Sequence, residues 1–431
     1  MLIPFAVMLL CIAVIPLMPK AGEWWESNLH KLYVSLILGV PVGIWMCCNG
    51  GGHEFLHTVV YDYIPFILLL MALFTTTGGI NIRGDLKAKP IINTGIMAVG
   101  WALASFMGTT GAAMLMIRPI MKNISERKYK THTMLFFIAI VANCGGLLSP
   151  LGDPPLFLLF QKGAPFAWWM QNMIGEWLVT GLLLLIVYFI VDTYYYKKEP
   201  KCCIEADEKN YEKMSVRGYI NIFWLLCVIA STMFINSTYI PAMGAADAPW
   251  YPKLLREWVF IIIILGSWFT TKKQIRIDNN YSWTPILEVA CVFVGIFATM
   301  APALLYLGSE SVSAAIAEVI KAPWHYVYST GLLSSFLDNA PTAMVFNSMA
   351  VGAGHVSDIA AGLTNDEYLK AISMGAVFFG SMTYIGNGPN FMVKSIAEQN
   401  KIDMPSFFGY MIKFSLIILL PIFIITQLIF I

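Results

Sequence analysis

Long apolar runs recur along the whole chain, and polar residues collect between them rather than within them. Several runs approach the roughly 20 residues that a helix needs to cross a bilayer. A soluble core would break such runs with polar positions every few residues. The pattern therefore predicts an all-α polytopic membrane protein. Its ten predicted spans cover residues 1–18, 33–50, 62–82, 132–161, 176–196, 219–239, 257–271, 282–307, 371–395 and 406–431.

Two further apolar segments, 91–118 and 326–350, are predicted to enter the membrane and return on the same side. Lysine and arginine mark cytoplasmic loops, and they flank the first segment on both sides, for example at Lys89 and Lys122. The second segment has few basic residues on either side, so both of its ends are predicted outside. With both segments as re-entrant hairpins, most of the 27 lysine and arginine residues lie in the cytoplasm. Both chain termini then face outside.

A lysine-rich cytoplasmic linker, 197–218, separates two halves, 1–196 and 219–431, that have the same predicted order of elements. Each half has three spans, a hairpin and two more spans. Five spans are an odd number, so the second half is inverted relative to the first. The predicted fold is thus two inverted repeats of five transmembrane helices plus one re-entrant hairpin each, with two broken helices. Short matching sequences support it: Ser105–Phe106–Met107 with Ser335–Phe336–Leu337, and Gly152–Asp153–Pro154–Pro155 with Gly386–Asn387–Gly388–Pro389.

Glycine, proline and asparagine interrupt four of the apolar segments: both hairpin tips and the predicted broken helices 132–161 and 371–395. Backbone that is not helical at membrane depth is tolerated only where it is buried in protein or lines a wet cavity. In transporters with inverted repeats, such breaks meet at a binding site near the midplane. We therefore predict one site for a small solute or ion. Its candidate residues are Asp153, Asp338, Asn339, Asn143, Thr109, Thr110, Ser149, Thr342, Asn387 and Asn390.

Asp153 and Asp338 are the strongest candidates because each lies deep in an apolar segment. A carboxylate inside the membrane is costly and indicates a functional site by default. One carboxylate can bind sodium or a proton but not both, which is the requirement for ion/proton exchange. The alternative is that each aspartate caps the N-terminus of a half-helix. The neutral candidates supply oxygen ligands for a hard cation or donors for an anion, so they leave the sign of the solute open.

Composition and motifs exclude several other classes. Charged residues make up 12% of the chain and the net charge is +1, which gives no support for nucleic-acid binding. No spacing among the eight cysteines suggests a disulfide framework or a zinc site, and no ATP-binding motif is present. We expect no cofactor and no enzymatic activity. An intramembrane aspartyl protease would need a Gly-x-Gly-Asp element, but Leu151 stands two residues before Asp153. A passive channel is the other remote alternative.

At its breaks the chain resembles the ion transporter superfamily, which includes NhaD-type sodium/proton antiporters, arsenite permeases, citrate-type carriers and the melanosomal P protein. The stretch from Ala142–Asn143–Cys144–Gly145–Gly146 to Gly152–Asp153–Pro154–Pro155 looks like the superfamily's Asn-Gly-Gly…Gly-Asp element. The sequence Ser335–Phe336–Leu337–Asp338–Asn339–Ala340–Pro341 looks like the second hairpin of the antiporters. The resemblance implies a homodimer with a scaffold part and a mobile transport part.

The chain departs from parts of that pattern. The first tip has Gly108–Thr109 where the antiporters carry Asp-Asn, and Gly111–Ala112–Ala113 is closer to the arsenite permeases. Neither tip has the Ser-Asn-Thr of the dicarboxylate symporters. The leading hypothesis is a sodium/proton antiporter in which Asp153 and Asp338 bind sodium. The alternative is an ion-coupled carrier of citrate, another organic anion or arsenite. We expect the protein in the lipid bilayer of a bacterial inner (plasma) membrane.

Overall fold

The chain is largely helical, and a computed structural model describes residues 2–244, 248–309, 311–312, 315, 318–356 and 363–431. Turns of 3₁₀ helix lie at Ile15–Leu17, Cys144–Leu148, Pro241–Met243 and Gly380–Met382, and π-helical stretches at Thr58–Tyr63 and Met411–Leu419. The α-helices are Leu2–Val14, Pro19–Trp25, Asn28–Cys48, Gly52–His57, Ile64–Thr77, Pro90–Met107, Thr109–Asn123, Thr131–Ile140, Pro154–Gln161, Trp168–Asn172, Ile174–Tyr196, Lys201–Lys209, Ile220–Phe234, Trp250–Lys253, Leu255–Thr270, Lys273–Asp278, Thr284–Leu307, Pro323–Phe336, Asn339–Gly352, Asp366–Phe379, Gly388–Gln399, Phe407–Tyr410 and Leu420–Phe430.

Seven helical stretches within the described residues are long and apolar enough to cross a membrane. Six of them overlap predicted spans, and the seventh, Pro90–Met107, is the first limb of a predicted hairpin. The remaining predicted spans are also helical, but their helices are shorter or broken. The prediction of an all-α polytopic membrane protein is therefore confirmed.

The helical stretch that contains most of the predicted span 62–82 differs from it at both ends. The helical stretch begins ten residues earlier, at Gly52, and ends at Thr77. The start of this helix is not evident from the sequence, because polar residues such as His53 and Glu54 interrupt the apolar pattern. After the helix ends, residues Asn81–Asp85 form a β-strand.

The linker 197–218 is more ordered than its composition suggests, since it contains the helix Lys201–Lys209 and the strand Glu212–Arg217. This strand pairs antiparallel with Asn81–Asp85. The Asp207 carboxylate also accepts hydrogen bonds from the backbone N–H of Ala88, at 2.9 and 3.0 Å. The linker is thus bound to the segment that leads into the first hairpin.

The first hairpin, Pro90–Met107 and Thr109–Asn123, reverses direction at Gly108. Gly108 has φ of +79°, a conformation that favours glycine. At the base, the Asn123 amide donates to Asn93 Oδ1 at 2.7 Å, so both ends of the hairpin lie together. The segment therefore enters and leaves at the same end of the molecule.

The second hairpin, Pro323–Phe336 and Asn339–Gly352, has the same form. Its return limb begins directly after Asp338. The rings of Tyr326, near the start, and His355, just beyond the end, lie 6.5 Å apart between centroids. Both ends of this hairpin also lie together.

A buried ionic cluster around Asp192 fixes the base of the first hairpin. Its carboxylate accepts hydrogen bonds from Arg127 at 2.6 Å and from Asn93 at 3.0 Å, and it contacts His132 Nε2 at 2.8 Å. Asp192 and Asn93 are fully buried, and Arg127 is nearly so. The cluster joins the hairpin, the loop after it, the first broken helix and the end of helix Ile174–Tyr196.

Helices Asn28–Cys48 and Thr284–Leu307 pack side by side in the same direction. The Asn28 amide donates to the Thr284 carbonyl at 3.3 Å, and farther along Lys31 pairs with Glu288 at 2.6 Å. Parallel packing requires an odd number of crossings between the two helices. Five predicted spans separate them if the first hairpin turns back, which agrees with its closed base. The inverted relation of the two halves stays a prediction.

Labelling of single cysteines tests the sidedness of the hairpins. In a variant without the eight native cysteines, Lys89→Cys and Ser125→Cys should react only with reagent added to the cytoplasmic side. Glu318→Cys and Gly354→Cys should react only from outside. All four positions are exposed. Reaction of either pair from opposite sides would contradict the hairpin topology.

A second prediction concerns Asp85 at the end of the short sheet. Burial, with the Glu126 charge nearby, raises the pKa of Asp85 to about 6 from the usual 3.8. A raised carboxyl pKa means that stability is greatest at low pH and is lost as pH rises through the interval between these values. Asp85→Asn removes the ionised form that burial disfavours. It should raise the melting temperature clearly at pH 8 and less at pH 5.

The matched control is Glu205→Gln, which removes an exposed carboxylate from the linker helix. Its melting temperature should change by a similar small amount at both pH values. Thermal unfolding of the two variants in the same detergent makes the comparison. A gain for Asp85→Asn that is equal at pH 5 and pH 8 would refute the electrostatic explanation.

Candidate functional site

All four interruptions of the helical segments meet at the Asp153 carboxylate. Asp153 Oδ1 accepts hydrogen bonds from the Thr109 hydroxyl at 2.7 Å and from the Asn387 amide at 3.1 Å. Oδ2 accepts one from the Asn339 amide at 2.5 Å. Thr109 belongs to the first hairpin tip, Asn339 to the second tip, and Asn387 to the break of the second broken helix. All four side chains are at most 3% exposed.

A second layer of amides lies behind this carboxylate. The Asn143 amide donates to Asn390 Oδ1 at 2.6 Å and to the Ile138 carbonyl at 2.8 Å. Asn143 Oδ1 in turn accepts from the Asn387 amide at 3.1 Å. The Asn390 amide donates to carbonyls of its own broken helix. The two broken helices are therefore joined through asparagine side chains that are all fully or almost fully buried.

Serine side chains form hydrogen bonds with the backbone of the first break and stabilise its non-helical conformation. Ser149 donates its hydroxyl to the Ser105 carbonyl and accepts from the Leu151 N–H at 3.2 Å. The Ser105 hydroxyl donates to the Gly145 carbonyl at 2.5 Å. Free carbonyls inside a membrane protein need such partners. Ser149 thus positions the break and does not itself reach Asp153 in the structure.

Within this break, the backbone at Gly152 lies very close to the backbone at Gly146. A Cβ on Gly152 would lie 1.9 Å from the Gly146 carbonyl oxygen, so only glycine fits. The Gly152 carbonyl accepts from the Thr109 N–H at 2.8 Å, which fixes the hairpin tip beside the break. The half-helix Pro154–Gln161 then begins, with Asp153 as its N-cap residue.

The second break repeats the same bonding pattern. Thr383 donates its hydroxyl to the Ser335 carbonyl and accepts from the Ile385 N–H at 3.2 Å. These residues correspond to Ser149, Ser105 and Leu151 in the first half. Thr383 and Ser105 are not among the candidate site residues predicted from the sequence. The match of Gly152–Asp153 with Gly386–Asn387 would have placed Thr383 opposite Ser149.

Three predicted residues lie beside the carboxylate network rather than in it. Asp338 is half-buried, and its carboxylate accepts from the Ala340 N–H at 3.0 Å, as an N-cap residue does. The Thr342 hydroxyl donates to the Asp338 carbonyl at 2.9 Å. Thr110 is half-buried next to Thr109. In the structure, Asp338 therefore caps the N-terminus of the return limb of its hairpin, which is the alternative role considered for it above.

The site is acidic and contains an unsatisfied acceptor. The hydrogen-bond donors that reach Asp153 from described residues are neutral, and the acidic charge that acts on it is that of Asp338. Asn339 Oδ1 is buried and has no hydrogen-bond partner among the described residues. A buried acceptor without a donor is costly, and a cation would satisfy it. No group of three or more histidine, cysteine or acidic residues suited to a metal ion occurs in the described ranges.

Comparison with known proteins gives the chain a family. Residues 1–431 match the model of a protein family described as "Putative citrate transport". No curated protein matches the chain. Citrate-type carriers are among the relatives that the sequence motifs indicated, so the resemblance is confirmed. Together with the apolar helices, this match identifies an integral membrane transport protein.

The amide layer predicts a specific loss of stability. Asn143→Ala removes the donor to Asn390 Oδ1 and the acceptor for Asn387, so buried polar groups lose partners at a cost of about 1–3 kcal/mol each. We expect a clearly lower melting temperature. The control Thr110→Val changes a half-buried side chain at the edge of the site and should cost no more than about 0.5 kcal/mol. Equal melting of the two variants would show that the amide layer contributes nothing.

Proposed function

We propose, since the chain belongs to the citrate-transport family, that it is a secondary carrier of citrate or a closely similar organic anion and moves the anion together with a cation. The family match covers the whole chain, which supports the anion. The Asp153 carboxylate, which has only neutral hydrogen-bond donors around it, supports the involvement of a cation. The single observation that carries the proposal is the convergence of both hairpin tips and both breaks on one buried carboxylate, Asp153.

An anion alone is a poor ligand for this site. Two unit charges of the same sign about 4 Å apart repel by roughly 4 kcal/mol at an effective dielectric constant of 20. Citrate carries several negative charges, and the donors around Asp153 are hydroxyl and amide groups without charge. A cation bound between Asp153 and the anion removes this repulsion. Coupling of anion to cation then follows from electrostatics.

The ligand set around Asp153 suits a hard cation. Asp153 supplies carboxylate oxygens, Asn339 supplies the unpaired amide oxygen, and Thr109 supplies a hydroxyl oxygen. Carboxylate, amide and carbonyl oxygens are the ligands of such ions. Unwound backbone at the two breaks adds carbonyl oxygens, and the half-helix N-termini after the breaks favour the anion. One side of the site would thus take the cation and the other the carboxylates of the substrate.

Transport would follow alternating access. The two hairpins and two broken helices form one bonded unit around Asp153, so we propose that they move together against the remaining helices. The homodimer implied by the superfamily would provide the fixed scaffold.

A sodium/proton antiporter is the second candidate. The observation that favours it is the presence of two carboxylates, Asp153 and Asp338, close enough for one charge to act on the other. One carboxylate that binds sodium or a proton would suffice for exchange. The capping bond of Asp338 to the Ala340 N–H makes this residue less available as an ion ligand than Asp153. Arsenite transport stays a further alternative from the sequence motifs.

The proposal predicts that Asp153 is needed for coupled uptake and Asp338 much less. In proteoliposomes, labelled citrate should accumulate only when a sodium, proton or divalent-cation gradient is imposed. Asp153→Asn keeps the shape but removes the charge, and should lower uptake by about tenfold or more, since a hydrogen bond or contact to a charged group is worth roughly 1.5–3 kcal/mol. Asp338→Asn should retain most activity because asparagine also caps helices.

The same vesicles separate the alternatives. Sodium-dependent movement of protons without citrate would replace the carrier proposal by the antiporter, and accumulation of labelled arsenite would replace it by arsenite transport. Thr110→Val serves as the control for a neutral change beside the site. Full citrate uptake by a well-folded Asp153→Asn protein would remove Asp153 from the mechanism.

A further inference from the structure

A cavity of about 450 Å³ lies away from the Asp153 site, beside the start of the first broken helix. It is formed between helix Thr131–Ile140, the end of helix Ile174–Tyr196 and the segment 403–418. The topology predicted from the sequence places it at the cytoplasmic edge of the membrane. Its walls are mainly apolar, with Leu135, Phe136, Val191, Met404, Phe414 and Ile418 among the lining residues.

Exposed apolar residues lie next to the lining of the cavity on two helices. Next to its lining residues, Ile190 is 60% exposed and Tyr194 is 55% exposed on one helix. Ile412 and Ile417 are 54% and 65% exposed on the other. In a membrane-spanning bundle, exposed apolar residues of this kind contact acyl chains. A molecule that fills the cavity can therefore enter from the bilayer.

The polar part of the cavity favours a negative charge. Lys413 lines it and is exposed at its rim, where a lysine side chain extends towards the membrane surface. Thr131, at the N-terminus of a ten-residue helix, lines it as well. A helix N-terminus carries partial positive charge and attracts anions. Asp403 is the acidic residue in the lining and opposes this charge.

We propose that this cavity binds one anionic phospholipid of the cytoplasmic leaflet, with an acyl chain against the apolar walls and the phosphate headgroup at Lys413. The three observations that carry the assignment are independent: a cavity with mainly apolar walls, exposed apolar residues next to its lining, and a lysine beside a helix N-terminus. Basic pockets between helices at this side of a membrane are suited to such headgroups.

The bound lipid would touch the anchor of the first hairpin. His132 is a lining residue, and its Nε2 contacts Asp192, the centre of the cluster that fixes the hairpin base. Its ring also stacks on Tyr195, another lining residue, at 4.6 Å between centroids. An occupant that packs on these rings restricts the motion of the anchor. The lipid should therefore stabilise the folded protein as well as bind it.

The test compares retention of two lipids with identical acyl chains, phosphatidylglycerol and phosphatidylcholine, by native mass spectrometry of the purified full-length chain. The wild type should retain one phosphatidylglycerol in preference to phosphatidylcholine, and the melting temperature should rise only with the former. Lys413→Gln should weaken phosphatidylglycerol binding about fivefold, as expected for loss of one lysine near the headgroup. Asp403→Asn should strengthen it, because it removes the opposing charge.

Lys273→Gln is the matched control, since Lys273 is an exposed lysine outside the cavity at the same predicted side of the membrane. It should leave the lipid preference unchanged. Val191→Trp, which fills the cavity, should abolish retention of the lipid while an unchanged helical circular-dichroism spectrum and size-exclusion profile verify the fold. Equal retention of both lipids by the wild type would overturn the proposal. So would Lys413→Gln and Lys273→Gln variants with the same affinity.

Discussion

The burial of the Asp153 carboxylate is the constraint around which this molecule is organised. An ionised carboxylate removed from water costs several kcal/mol unless hydrogen bonds or counter-ions compensate it. Here the compensation comes from the hydroxyl of Thr109 and the amides of Asn339 and Asn387, which belong to three different segments. Each of these segments must interrupt its helix at the depth of Asp153, so that its hydrogen-bond donor reaches the carboxylate. The breaks, the tips and the serine and threonine bonds that hold them follow from that single requirement.

The choice of neutral donors has a chemical consequence. An arginine or lysine at the position of Asn339 would neutralise Asp153 permanently and form a closed ion pair. Amides satisfy the hydrogen-bonding capacity of the carboxylate but leave its charge uncancelled, and Asn339 Oδ1 lacks a donor in the described structure. Such a site joins the elements by hydrogen bonds and, under the proposed function, still attracts a cation. Under the proposed function, binding and release of the cation can then alternate, which a permanent ion pair would prevent.

Much of this arrangement could be predicted from the sequence, for identifiable reasons. Glycine, proline and asparagine stand out in apolar runs, so the breaks and Asp153, Asn143, Asn387 and Asn390 were found. Ser105 and Thr383 were missed because serine and threonine are common in membrane helices and here bond to backbone carbonyls. Asp192 was overlooked although it ends an apolar run, because its partners are distant in sequence. The pairing of strand Asn81–Asp85 with the linker could not be predicted for the same reason. The proposed lipid and ion preferences depend on the chemistry of individual side chains, which the pattern of apolar helices does not encode.

The order in which the chain is synthesised gives the Asp153 network a further meaning. Thr109 is made before Asp153, but Asn339 and Asn387 follow it by 186 and 234 positions. While the first half is being inserted, this carboxylate has one of its three side-chain partners and cannot yet be buried at low cost. Until the second half arrives, this carboxylate must be stabilised by water or by a proton rather than by its full set of hydrogen bonds. The set of three partners around Asp153 is therefore complete only after the second half has been made, so the two halves depend on each other for the burial of this carboxylate.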